Sequence, residues 1–142
     1  LGTDGPAGSN NDFDMFEEMD LAAKLQKVSG DPTALTAQQA FAMATIIGAR
    51  ALGLEKEIGS IEAGKRADLI ALRLDSAHAA PMYNVYSHLA YALKGSDVTD
   101  VMVNGRQIVT GGRLITVDVP EILAKAAEYK TKIARSLALT GK

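Results

Sequence analysis

Leu1-Gly2-Thr3-Asp4-Gly5-Pro6-Ala7-Gly8-Ser9-Asn10-Asn11 begins the sequence with one carboxylate held between glycines, then a polar loop, then a helical pattern from about Asp12. That order reads as the end of a strand, a tight turn and a helix entry. Glycine relieves the steric demands of the turn, and Asn or Asp accepts hydrogen bonds from the first N–H groups of a helix. Asp4 is the first candidate for chemistry, because a carboxylate just past a strand end can reach a site above a sheet where backbone approaches a ligand. The same residues also suit plain turn chemistry, in which aspartate bonds its own backbone. Ser9, Asn10 and Asn11 carry two readings as well, a polar-ligand contact or a helix-capping loop.

Outward from this stretch, residues 12–28 place Phe13, Phe16, Leu21, Leu25 and Val28 at roughly helical spacing. Asn11 or Asp12 is the expected cap, and Ser29-Gly30-Asp31-Pro32 is the stop. A second helix is expected over 36–52, opened by a Thr36-x-x-Gln39 capping box and closed by Gly53. Its many alanines call for close packing against something substantial. From residue 58 the character changes to turn formers, then to Leu69-Ile70-Ala71-Leu72, an apolar run expected as a buried strand. Residues 85–93 suit a short helix with Leu89 and Leu93 on one side. Asn104-Gly105, between β-rich runs at 98–103 and 107–110, marks a hairpin. Residues 113–117 can add a strand. From Pro120 a helix is expected to dock along Ile122, Leu123, Ala126, Tyr129, Ile133 and Leu137, with its lysines in solvent.

The 142 residues are 47% hydrophobic and 23% charged, with a net charge of −2. Both signs are interspersed, so nothing favours nucleic acid or an anionic membrane as partner. Cysteine is absent, which removes disulfides and thiolate ligands and fits a cytoplasmic protein. No segment approaches the ~18 apolar residues of a membrane span, and no signal peptide is visible. Leucine at position 1 makes the sequence look like the continuation of something longer. His78 and His88 have no acidic or histidine neighbour at metal-ligand spacing, and His88, within Tyr86-Ser87-His88-Leu89, reads as a surface or interface histidine.

Two separated stretches acquire meaning together. Gly2-Thr3-Asp4-Gly5 through Ser9-Asn10-Asn11 into Met15-Phe16-Glu17-Glu18-Met19 resembles the segment after the eighth barrel strand of metal-dependent amidohydrolases. The subgroup it is most similar to holds the 5-methylthioadenosine/S-adenosylhomocysteine deaminases and the triazine chlorohydrolases. Gly59-Ser60-Ile61-Glu62-Ala63-Gly64-Lys65-Arg66-Ala67-Asp68-Leu69-Ile70 resembles the passage from barrel to β-sandwich in that superfamily, and Val101-Met102-Val103-Asn104-Gly105-Arg106 its sandwich hairpin.

The resemblance implies an α/β plus β fold. Residues 1–57 would form the C-terminal end of a (β/α)8 TIM barrel, with the last strand end at residues 1–3 and outer helices after it. Residues 58–119 would form half of a small β-sandwich, and 120–142 a C-terminal helix. It also implies that Asp4 ligates a divalent metal, zinc or iron, and takes the proton of a metal-activated water that attacks an adenine-type nucleoside. The family's other ligands, a His-x-His pair, further histidines and a glutamate, have no counterpart here, so this polypeptide alone is expected to be inactive and to hold no metal. A related triazine or cyclic-amidine hydrolase is the alternative chemistry. A non-catalytic module that associates with copies of itself or with a separate N-terminal polypeptide is the alternative of another class.

Overall fold

Asp14 opens the first helix. Its Oδ1 accepts from Phe16 N at 2.9 Å, while Asp12 Oδ1 accepts from Asp14 N at 3.0 Å. Helix α1 therefore runs Met15–Val28, and the cap falls two residues later than expected, on the carboxylate that reaches the first free N–H. The computed structural model describes residues 1–5, 12–28 and 30–139. The Asn11 cap and the stop at Ser29 lie outside the described residues. The second helix forms as two, α2 (Ala37–Ala44) and α3 (Ile46–Ala51). The expected capping box is present: Thr36 Oγ1 accepts from Gln39 N, and Gln39 Oε1 accepts from Thr36 N at 2.8 Å. The break at Thr45 (φ −127°, ψ −103°) has a local cause, since the hydroxyl donates to Phe41 O at 2.8 Å and competes with the backbone ladder.

After a turn-rich stretch the chain enters β1 (Leu69–Leu72), a short helical turn α4 (Val85–Ser87) widening into a π-type turn through Ala92, then β2 (Val98–Val103), β3 (Arg106–Thr110) and β4 (Arg113–Leu114). The four strands form one antiparallel sheet in the order β1-β2-β3-β4, with Ile70 opposite Val101 and Val103 opposite Arg106. Asn104 (φ 50°) and Gly105 (φ 78°) make the hairpin turn, whose two positive φ values match the twist of the strands. Asp68 Oδ1 accepts from Asn104 N, and Ala67 O from Gly105 N, which fixes the hairpin against the entry to β1. The fourth strand is two residues rather than five, Leu114 opposite Val109 and Arg113 opposite Thr110, with Ile115 N donating on to Ile108 O at 2.9 Å.

The core lies where α1, α2 and the 77–93 segment meet: Phe16, Met19, Ala23, Ala40, Ala79 and Leu93 are buried together, with Leu72, Leu89 and Val98 packed on them. Leu89 and Leu93 thus face inward as expected. Helix α5 (Val119–Leu139) forms but does not dock. Every residue of it from 119 to 138 is exposed, Tyr129 and Ile133 among them. Nor is β1 buried: Leu69 is 37% and Ile70 54% exposed, because β1 is an edge strand.

Candidate functional site

Asp4 is exposed and sits at φ 55°, in the left-handed region. Neither Gly2 nor Gly5 has positive φ, and a Cβ on either would meet nothing within 4 Å. The unusual backbone conformation therefore falls on the carboxylate-bearing residue rather than on its glycine neighbours. Aspartate is one of the few side chains that accepts it at modest cost. Residues 1–5 form no strand, having no ladder partner among the described residues. Ser9, Asn10 and Asn11 lie outside the described residues.

The two histidines are engaged elsewhere. His78 Nε2 lies 2.8 Å from Asp97 Oδ2, and Ser76 Oγ lies 3.3 Å from the same nitrogen. A serine and a carboxylate that share one ring nitrogen cannot form a proton relay, which needs them on opposite nitrogens. Asp97 is 2% exposed and accepts also from Lys94 N at 2.9 Å, while its carbonyl accepts from Arg73 N at 2.8 Å. The hydrogen bond from His78, then that from Lys94 N, holds the Asp97 carboxyl below its ordinary range. This node ties the 76–79 turn to the start of β2. His88 places its ring nitrogens 3.2 Å from Asn84 O and 3.1 Å from Ala79 O, inside its own helical segment.

Among the described residues, no three His, Cys, Asp or Glu side chains come together in a group that could hold a metal ion. Asp4 is a single carboxylate, whereas catalytic zinc takes three or more protein ligands. The described residues therefore do not by themselves assemble the ligand set that the resemblance implies.

Two further clusters escaped the sequence reading. Lys27 Nζ donates to Leu35 O at 2.8 Å, to Ala23 O at 3.1 Å and to Tyr91 Oη at 3.3 Å, closing the end of α1 over the 30–36 loop. Its place in the last turn, where cations find carbonyls, was the available signal. Lys65, with its side chain 10% exposed, donates to Ser60 Oγ at 2.5 Å and pairs with Glu62 at 3.2 Å, which folds the 59–65 turn on itself. Ser60 Oγ in turn donates to Glu62 Oε1 at 2.5 Å, so all three side chains are engaged with one another.

Beside these lies an open groove of about 1030 Å³ between the end of α2, α3 and β1, lined by Phe41, Ile46, Leu52, Leu69 and Ile70 among others, but not by Asp4. No helix among the described residues is long and apolar enough to cross a membrane.

Comparison with known proteins gives this incomplete site its setting. Residues 1–108 match the amidohydrolase family. Over 137 residues the chain is 46% identical to the 5-methylthioadenosine/S-adenosylhomocysteine deaminase of Thermodesulfovibrio yellowstonii, covering 96% of this chain and 31% of that protein. It is 50% identical over 133 residues to the enzyme of the same name from Moorella thermoacetica, covering 93% and 31%. A crystal structure of an adenosine deaminase from Xanthomonas campestris with bound zinc superposes with a TM-score of 0.87 at 42% identity, covering 92% of this chain and 30% of that one. Atrazine chlorohydrolase TrzN from Arthrobacter aurescens, complexed with zinc, gives a TM-score of 0.71 at 26% identity, covering 80% and 25%. The chain thus spans about a third of the length of the curated relatives it matches. The match across residues 1–108 covers the Asp4 turn, both helical segments and the sheet hairpin: this chain belongs to the amidohydrolase family.

Proposed function

We propose that this chain is the Asp4-bearing, C-terminal portion of a hydrolase that deaminates an adenine-type nucleoside of the 5-methylthioadenosine/S-adenosylhomocysteine class. Residues 1–57 would be the end of the barrel, 58–119 half of a composite sandwich and 120–142 its closing helix. The observation that carries the reading is the identity of 46 to 50% to deaminases of that name over nearly the whole chain, in a stretch that includes the turn at Asp4. Deamination replaces an exocyclic amino group by the oxygen of water and releases ammonia. Asp4 contributes a carboxylate that takes the water's proton and, with groups from outside this chain, serves as a metal ligand. A divalent metal, zinc or iron, belongs to the complete enzyme. The bound zinc of the X. campestris neighbour supports this for the larger protein. The triazine chlorohydrolase reading has weaker support, at 26% identity.

The test is a chimera in which this chain replaces the matching segment of the M. thermoacetica relative. The zinc-loaded chimera is expected to release ammonia from 5-methylthioadenosine. Asp4→Asn is expected to lower the rate by about 10² or more, and the chain alone to release none and retain no zinc on dialysis. A folded, zinc-loaded chimera without ammonia release, or activity of the isolated chain, would refute the reading.

A further inference from the structure

Of the four asparagines in the sequence, Asn104 alone is followed by glycine; the others precede Asn11, Asp12 and Val85. Glycine has no Cβ to hinder approach to its own backbone nitrogen. In such a pair the glycine nitrogen can attack the carboxamide carbon of the asparagine before it. The new N–Cγ bond closes a five-membered succinimide, the bond from Cγ to the side-chain nitrogen breaks, and ammonia leaves with the proton that the glycine nitrogen gives up through solvent. Water then opens the ring at either carbonyl, leaving aspartate or isoaspartate.

Nothing shields the pair at the surface. Both residues are exposed, and a Cβ on Gly105 would meet nothing within 4 Å. Among the described residues no hydrogen bond holds the Asn104 carboxamide. The restraint lies in the backbone. Gly105 N donates to Ala67 O at 3.0 Å, so the proton that the reaction must remove is engaged, and Asn104 N donates to Asp68 Oδ1. The two positive φ values, 50° and 78°, are those of a type I′ turn. In that turn ψ of the first central residue is about +30°, which sets the Gly105 nitrogen and Asn104 Cβ on opposite sides of the Cα–C bond. Ring closure needs them on the same side. The turn must therefore rotate, and the rotation withdraws Gly105 N from Ala67 O.

We propose that Asn104-Gly105 is a deamidation site held shut by the entry to β1, through Ala67 O and the Asp68 carboxylate, and that it reacts when this contact opens. Reaction then opposes reclosure. Either product places a second carboxylate beside Asp68. Isoaspartate also adds a carbon to the backbone of a two-residue turn, which no longer fits the pairing of Val103 with Arg106.

The experiment incubates the full chain at mildly alkaline pH, with and without denaturing urea, and follows the gain of one mass unit at position 104 by peptide mass spectrometry. The folded chain is expected to react at least tenfold more slowly than the chain in urea, because only the opened turn reacts. Asp68→Ala removes a hydrogen bond to a charged group and is expected to raise the rate without urea about tenfold, with the rate in urea unchanged. Asp68→Asn keeps an acceptor for Asn104 N and is expected to restore most of the protection. Hydrogen exchange at the Gly105 amide of the parent needs no variant, and protection there is expected. Equal rates with and without urea, free exchange at Gly105, or a folded Asp68→Ala chain that reacts no faster than the parent would each overturn the proposal.

Discussion

Gly59→Ala is the most informative stability test, because two separable costs meet at that residue. Gly59 has φ +89°, and a Cβ there would lie 2.7 Å from Ala49 Cβ, 3.0 Å from Ile46 Cα and 3.3 Å from Thr45 O. A comfortable carbon–carbon contact is about 3.5 to 4.0 Å, so the turn must lift off α3 by nearly an ångström. Gly53 supplies the control: its φ is +70°, but its Cβ would meet nothing within 4 Å. Gly53→Ala carries only the left-handed backbone cost, about 1 to 2 kcal/mol. Gly59→Ala adds overpacking, about 1 to 3 kcal/mol. At roughly 3 °C per kcal/mol for a chain of this size, Gly59→Ala should melt about 3 to 9 °C below Gly53→Ala in matched thermal scans followed by circular dichroism. Equal melting temperatures would refute the claim that this turn seats directly on α3.

Other side chains carry predictions of the same kind. Lys27→Met removes three hydrogen bonds and leaves Leu35 O without its ammonium, so urea unfolding should show a loss of about 1.5 to 3 kcal/mol. Thr36→Ala removes the capping box of α2 and should cost about 1 kcal/mol in the same assay, with Gln39→Ala adding little once Thr36 is gone. Asp97→Asn tests the buried node at β2. Because the Asp97 carboxyl is held below its ordinary range in the folded chain, its stabilisation is present above the unfolded value near pH 3.9 and is lost as pH falls further. The stability gap between parent and variant should therefore be full at pH 6 and shrink below about pH 4, and a gap constant between pH 6 and pH 3 would contradict the assignment.

Local signals were legible in the sequence where one or two residues decide the structure. Thr36 with Gln39 fixed a helix start, and Asn104-Gly105 fixed a hairpin through its two positive φ values. Signals that depend on a partner were legible only as demands. Leu69-Ile70-Ala71-Leu72 and the apolar side of α5 both read as surfaces to be covered, and the composition of each is right for cover. None of the described residues covers them, so both stand exposed. The break at Thr45 was hidden for another reason. A threonine bonding back to the carbonyl four residues earlier bends a helix only in some settings, and helical periodicity runs straight through it. The candidate site divides in the same way: Asp4 stood out by its turn and by its resemblance, while the histidine positions declared nothing of the Asp97 node that takes up one of them.

The backbone at Asp4 joins fold and site. Asp4 takes the left-handed region although it is not glycine, and it is exposed at that turn. On the function proposed above, the remaining donors belong to parts of the enzyme outside this chain, so a metal held jointly by Asp4 and by those groups binds only the complete fold. A ligand that binds only the complete fold stabilises it, and at a hundred times its dissociation constant that amounts to about 2.7 kcal/mol. Removing Asp4 from such a ligand set would therefore cost stability in the metal-loaded enzyme as well as rate.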